Sequence, residues 1–192
     1  HIGEGSYQET EKVIQKLLEE RSLALGIQMT SESSLVDIEE FQHSLFRTPE
    51  LYFGYKFAQN RNQLGSDEGF QPGRIIPYSE PEKIDLHKFY PIGEWKNYED
   101  SMDLSSEKGS IKLLYSAKEL NIVTENNAEL EILLDTNPLA VKYAGNDIVE
   151  GNILKVTGAG LYNSINSDDS SSHLIEIKMR GEGFQIFTFT FG

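Results

Sequence analysis

Apolar and polar positions change their spacing along this chain of 192 residues. Near the start, Val13, Ile14, Leu17 and Leu18 recur at i, i+1, i+4 and i+5, while Glu11, Lys12, Gln15, Lys16 and Glu19 occupy the intervening positions. That is one apolar stripe on an amphipathic helix, predicted from about Tyr7 to about Arg21. Ser6 and Glu9 stand in capping-box spacing at its entry, so the Ser6 hydroxyl and the Glu9 side chain could satisfy each other's backbone N–H groups. A stripe of this kind needs a covering partner, and nothing close by in sequence supplies one.

The spacing weakens after the helix. Residues 29–34 (Met-Thr-Ser-Glu-Ser-Ser) are polar and turn-prone, as a linker is. Val36 to Phe46 fits either a short strand or a helical turn. Thr48 to Tyr55 is more distinctive, with φ fixed at Pro49 and tyrosines on both sides of Gly54, and Asn60 to Gly73 reads as loop. Beyond it the period becomes two. Ile111, Leu113, Tyr115 and Ala117 alternate with Lys112, Leu114 and Ser116, and the same rhythm marks Leu130–Leu134, Ile175–Met179 and Phe187–Phe191. Further strands are expected over 120–124, 153–157 and 161–165, with one or more across 84–104. About eight to ten strands, punctuated by glycine, asparagine and serine with no helices between them, predict a mainly β fold. The expected form is an antiparallel β-sandwich or jelly roll behind an N-terminal amphipathic helix, with Phe187, Phe189 and Phe191 all in its core.

Composition narrows the function classes. Seventeen basic against 31 acidic residues give a formal charge of −14, which opposes binding to nucleic acid or an anionic membrane. Hydrophobic residues make up 38% of the chain, enough for a packed core, yet no run approaches the ~18 apolar residues of a membrane span. There is no cysteine, so the chain carries no disulfide, thiolate nucleophile or CxxC couple. The four histidines have neither HxH nor HExxH spacing, and no GxSxG elbow or phosphate loop occurs. Gly158-Ala159-Gly160 reads as a strand-to-strand turn, and Asp168 to Ser172 as a solvated hairpin loop. Asp135 and Asp147 are weak candidates for a structural calcium ion, with turn formation the leading role for Asn146 and Asp147. Pyranose rings stack on flat aromatic faces while their hydroxyls seek polar rims. Tyr52, Tyr55 and Trp95 are the candidate platforms, with Tyr78, Tyr90 and Tyr98 also available. A place in a strand core is the leading reading for Trp95, between Glu94 and Lys96, and Tyr52 and Tyr55, three apart, cannot share one strand face.

Several segments carry a family resemblance. They are residues 3–11 (Gly-Glu-Gly-Ser-Tyr-Gln-Glu-Thr-Glu) with Ile14 to Leu18, residues 48–55 (Thr-Pro-Glu-Leu-Tyr-Phe-Gly-Tyr), Gly93-Glu94-Trp95, residues 116–123, residues 145–148, Leu161-Tyr162 and the terminal Phe189 to Gly192. In order and spacing the chain resembles the C-terminal region of DipZ-like proteins, in which a thioredoxin domain precedes a jelly roll similar to carbohydrate-binding modules. The resemblance implies that residues 1–21 close a thioredoxin fold, that 22–48 link, and that 49–192 form the jelly roll. It implies a non-catalytic domain that binds a saccharide or, alternatively, docks its thioredoxin neighbour onto a protein partner. The whole protein would then be a thiol:disulfide exchange protein acting outside the cytoplasm. The family's redox residues have no matching positions in this chain.

Overall fold

The computed structural model describes residues 7–26 and 47–192. The chain divides into two units, at residues 1–45 and 46–192, and each is taken by itself. In the first, helix α1 (Tyr7–Leu25) runs four residues beyond the predicted end and stops before Gly26, whose φ of 65° suits a residue without a Cβ. Ser6, the Glu9 side chain, most of the 22–48 linker and the 36–46 segment lie outside the described residues. Among the described residues no helix is long and apolar enough to cross a membrane.

The second unit is the mainly β, antiparallel sandwich that the alternation predicts. Its strands are β1 (Leu51–Tyr52), β2 (Ile75–Tyr78), β3 (Phe89–Asn97), β4 (Met102–Leu104), β5 (Lys108–Ser116), β6 (Glu119–Glu125) and β7 (Ala128–Leu134). Then follow β8 (Asn137–Pro138), β9 (Ile148–Glu150), β10 (Ile153–Val156), β11 (Gly160–Asn166), β12 (Ser172–Arg180) and β13 (Gln185–Phe191). A single helical turn, α2 (Tyr55–Ala58), follows β1. One sheet has the order β11-β6-β13-β4-β3, with β1 on β13 and β2 on β3; the other has the order β3-β5-β12-β7-β10-β9, with β8 on β7. From β4 onward the chain passes from sheet to sheet, β4 in the first, β5 in the second, β6 in the first, β7 to β10 in the second, β11 in the first, β12 in the second and β13 in the first. The two sheets share β3. Its first half (Phe89–Ile92) pairs with β5, and its second half, beginning at Gly93, pairs with β2 and β4. The change of partner falls at Gly93, whose φ of 101° is a conformation glycine adopts without strain.

The core fills the space between the sheets. Ile111, Leu113 and Tyr115 of β5 and Ile175, Ile177 and Met179 of β12 point inward with Leu120 and Ile122 of β6, all essentially without solvent exposure. Aromatic rings bridge the layers: Tyr115 of β5 lies 5.9 Å from Phe191 of β13, and Phe53 lies 4.1 Å from Phe89 and 5.0 Å from Phe189. Two sequence expectations need correction. Phe187 is not a core residue: the β13–β6 register shifts between Ile186 and Thr188, so Phe187 is the extra residue of a bulge and sits half-exposed while Ile186, Thr188 and Phe189 are buried. Phe191 is partly buried against the core. The 168–172 segment is not a hairpin loop either, since β11 and β12 pair in different sheets.

One core-edge carboxylate is poorly served. Oδ1 of Asp103, in β4, is buried without a hydrogen-bond partner among the described residues. Burial raises this carboxyl to about 6 against the pull of Lys96 and Gln185, with Asp100 and Glu125 adding to the rise. The folded chain therefore keeps a proton that the unfolded chain releases near 3.8, so this group's contribution to stability falls as pH rises from about 4 to about 6. Asp103→Asn is expected to stabilise the protein at pH 7 by about 1 kcal/mol, allowing for partial solvent screening, and to leave pH 4 stability unchanged. Urea midpoints at the two pH values check this.

Candidate functional site

The alternation that fills the core from one face of the second sheet presents polar side chains on the other. The ladder registers align Ile92, Ser110, Lys178, Glu131 and Ile153 in one row across β3, β5, β12, β7 and β10. The next row holds Lys108, Arg180, Glu129 and Lys155, and the row on the other side holds Lys112 and Glu176. Apart from Lys112 and Lys155, the residues of these rows line a groove of about 560 Å³, together with Gly93 and Gly109. Lys178 stands opposite Glu131, Arg180 opposite Glu129 and Glu176 opposite Lys112, as cross-strand pairing favours, while Lys108 and Arg180 are like charges side by side. Apolar contact is supplied by the flanking Ile92 and Ile153. The groove offers donors and acceptors at the spacing of successive strands, about 4.8 Å.

The sequence-predicted platforms are elsewhere. Trp95, in β3, has no solvent exposure, and its indole N–H donates to the Ile92 carbonyl at 3.1 Å. A ring closed in on both faces cannot stack on a sugar, so Trp95 is a core residue. Tyr78 and Tyr90 are likewise buried, and Lys96 lies over the half-buried Tyr98 ring at 4.8 Å. Tyr52 and Tyr55 are both half-buried, one on β1 and the other opening α2. The strand ends between them because Gly54 packs on the turn after β3, where an added Cβ would stand 2.2 Å from the Asp100 Cα, and because the first N–H groups of α2 donate to the Tyr98 and Glu99 carbonyls. Tyr52 is already engaged: its hydroxyl donates to Glu50 at 2.5 Å, Arg61 lies 5.1 Å from its ring centre and Phe57 5.8 Å from it. The hydrogen bond to Glu50, then burial, pushes the Tyr52 hydroxyl above its ordinary value.

The two candidate calcium carboxylates serve protein donors. Asp147 Oδ2 accepts from the Asn163 N–H at 2.6 Å, which ties the segment before β9 to β11. Asp135 accepts from the Leu174 N–H at 2.9 Å and pairs with His173 at 2.7 Å. Among the described residues no group of three or more His, Asp or Glu side chains is placed to hold a metal ion. Sequence reading missed the Asp135–His173 pair because 38 residues separate its members. It equally missed the groove, whose residues lie on five different strands. Charged residues 129, 131, 176, 178 and 180 alternate with apolar ones along the chain, but no short stretch of sequence shows their convergence.

Asp135 and Thr136 form the two-residue turn between β7 and β8, with φ of 50° and 68°. Positive φ at both positions is the turn geometry that matches strand twist, and asparagine-glycine is its favoured sequence. A β-branched threonine is strained there.

A family profile, the thioredoxin like C-terminal domain, matches residues 48–192. The chain belongs to that family, whose matched span takes in the whole sandwich. Two curated relatives, Protein DipZ of Mycobacterium bovis and Protein DipZ of Mycobacterium tuberculosis, are each 24% identical over 192 residues, covering 100% of this chain and 25% of theirs. The chain thus spans about a quarter of the length of the curated relatives it matches.

Two substitutions separate core from surface. Trp95→Ala is expected to cost about 3–5 kcal/mol as a large-to-small core change, against about 1 kcal/mol or less for Tyr52→Ala, measured by urea unfolding. Thr136→Gly should stabilise the chain by about 1 kcal/mol through relief of the positive-φ turn, read as a rise in Tm.

Proposed function

We propose that this chain is the ligand-binding C-terminal domain of a larger thioredoxin-family thiol:disulfide exchange protein, and that it takes a saccharide in the groove on the second sheet. In this reading residues 1–21 close a thioredoxin fold, 22–48 link, and the whole protein acts outside the cytoplasm, in the periplasm or cell envelope. The observation that carries the binding reading is the groove itself. Its rows of Ser110, Lys178 and Glu131, and of Lys108, Arg180 and Glu129, place donors and acceptors across neighbouring strands, beside the apolar Ile92 and Ile153. Sugar hydroxyls pair with such fixed donors and acceptors, and a charge-assisted hydrogen bond contributes about 1.5–3 kcal/mol. The net charge of −14 disfavours polyanionic glycans and leaves neutral or basic ones. With no cysteine, the chain contributes recognition and no thiol chemistry of its own.

A ¹H–¹⁵N NMR titration against a panel of cell-wall and storage glycans tests this. Saturable shifts at Ser110, Glu131 and Lys178 are expected, and Lys178→Ala should weaken binding about tenfold or more. Absence of shifts with every glycan at millimolar concentration would overturn saccharide binding and favour docking of the thioredoxin domain onto a protein partner.

A further inference from the structure

At the opposite end of β12 from Arg180, three side chains meet in an order that the groove does not use. Ser171 Oγ lies 2.8 Å from Nε2 of His173, and Nδ1 of His173 lies 2.7 Å from Oδ2 of Asp135. Asp135 Oδ1 accepts the Leu174 N–H at 2.9 Å, which fixes the carboxylate. Partial burial works to raise the Asp135 carboxyl, but the His173 hydrogen bond, the Leu174 N–H and the His173 charge together hold it below its ordinary value. A carboxylate only accepts, so the proton on the Asp135 side belongs to Nδ1, and in the neutral ring Nε2 faces Ser171 with its lone pair. The ring is held between Tyr143 at 5.6 Å and Tyr115 at 6.4 Å. The His173 side chain is only 12% exposed, while Ser171 stands open to solvent. Hydroxyl, imidazole and orienting carboxylate in hydrogen-bonded sequence are the arrangement that activates a serine nucleophile. The orienting residue stands on the strained Asp135–Thr136 turn, where strain persists only if the surrounding structure imposes it.

A fourth group changes the meaning of the cluster. Asp169 Oδ1 lies 2.5 Å from Ser171 Oγ and accepts the Ser171 N–H at 2.9 Å. A negative oxygen bound to the nucleophile's own amide and beside its Oγ stands where the oxyanion of an acyl-transfer intermediate would form. It also competes with His173 for the single hydroxyl proton of Ser171. Asp169 is exposed, on the crossing between β11 and β12, so it can leave that position without disturbing either sheet.

We propose that Ser171, His173 and Asp135 form a latent ester-hydrolysing site, with Ser171 as nucleophile, His173 as general base, Asp135 as positioning residue and Asp169 as an internal block. The substrate class is a small carboxylic ester that reaches Ser171 from solvent. With Asp169 displaced, Oγ bonds to the ester carbonyl carbon as its proton passes to Nε2, and the freed Ser171 N–H receives the oxyanion. The carbon–oxygen bond to the alcohol then breaks, Nε2 returning the proton to the departing alkoxide. Water repeats both proton transfers on the acyl-serine and releases the acid, so no oxidant, metal or cofactor enters the balance.

The test uses the 192-residue chain with a fluorophosphonate probe, the modified peptide being mapped by mass spectrometry, and with p-nitrophenyl acetate as substrate. Asp169→Ala is expected to raise phosphonylation at Ser171 roughly tenfold over the unaltered chain by removing the competing acceptor. Adding His173→Gln should lower labelling about a hundredfold through loss of the general base, and adding Ser171→Ala should abolish it along with ester hydrolysis. All three substituted side chains lie outside the sandwich core, and ¹H–¹⁵N spectra confirm that each variant is folded. No adduct at Ser171 in folded Asp169→Ala protein overturns the proposal. So does an adduct whose rate is indifferent to His173→Gln, because Ser171 would then react as an ordinary surface hydroxyl.

Discussion

The sandwich rests on the way β3 divides its hydrogen bonds. Phe89 to Ile92 complete one sheet against β5, and Gly93 to Asn97 carry the other through β2 and β4. A continuous strand can serve both sheets only where its backbone turns, and Gly93 at a φ of 101° supplies that turn. Trp95, two residues on, is driven fully inside, and its indole N–H closes back onto the Ile92 carbonyl across the bend. Ile92 and Gly93 themselves border the groove. The bend that joins the sheets therefore also shapes the groove.

The polar half of the second sheet follows from the same geometry. Strands with one buried face must put their charges on the other, and antiparallel registers then decide which charges become neighbours. Lys178 falls between Ser110 and Glu131, and Arg180 between Lys108 and Glu129. Mixed signs in adjacent rows favour a ligand with many neutral hydroxyls over a strongly charged one, which is the physical content of the saccharide reading. The Ser171 cluster occupies another part of β12, where the strand meets the crossing from β11 and the β7–β8 turn. The groove and the cluster share a strand and use different ends of it.

The sandwich class, the helix from Tyr7 and the buried faces of β5, β7 and β12 were legible because period-two and helical spacing are local properties of the chain. The exceptions are instructive. The bulge at Phe187 reverses which residues of β13 face inward, and it arises from pairing with β6, 60-odd residues earlier. The 168–172 loop looks like a hairpin connection until its flanking strands are seen in different sheets. Residue type alone makes Tyr52, Tyr55 and Trp95 candidate aromatic platforms, yet only burial decides whether a ring has a free face.

The sequence by itself determined that the chain makes an acidic, cysteine-free antiparallel sandwich, because charge, composition and alternation are summed or read residue by residue. Only the tertiary structure decided where side chains distant in sequence converge. The groove draws on strands from residue 92 to residue 180, and the Asp135–His173 contact spans 38 positions. Such convergence is set by strand register and by the order of crossings between sheets. Those depend on the packing of the whole core, which no short window of sequence encodes.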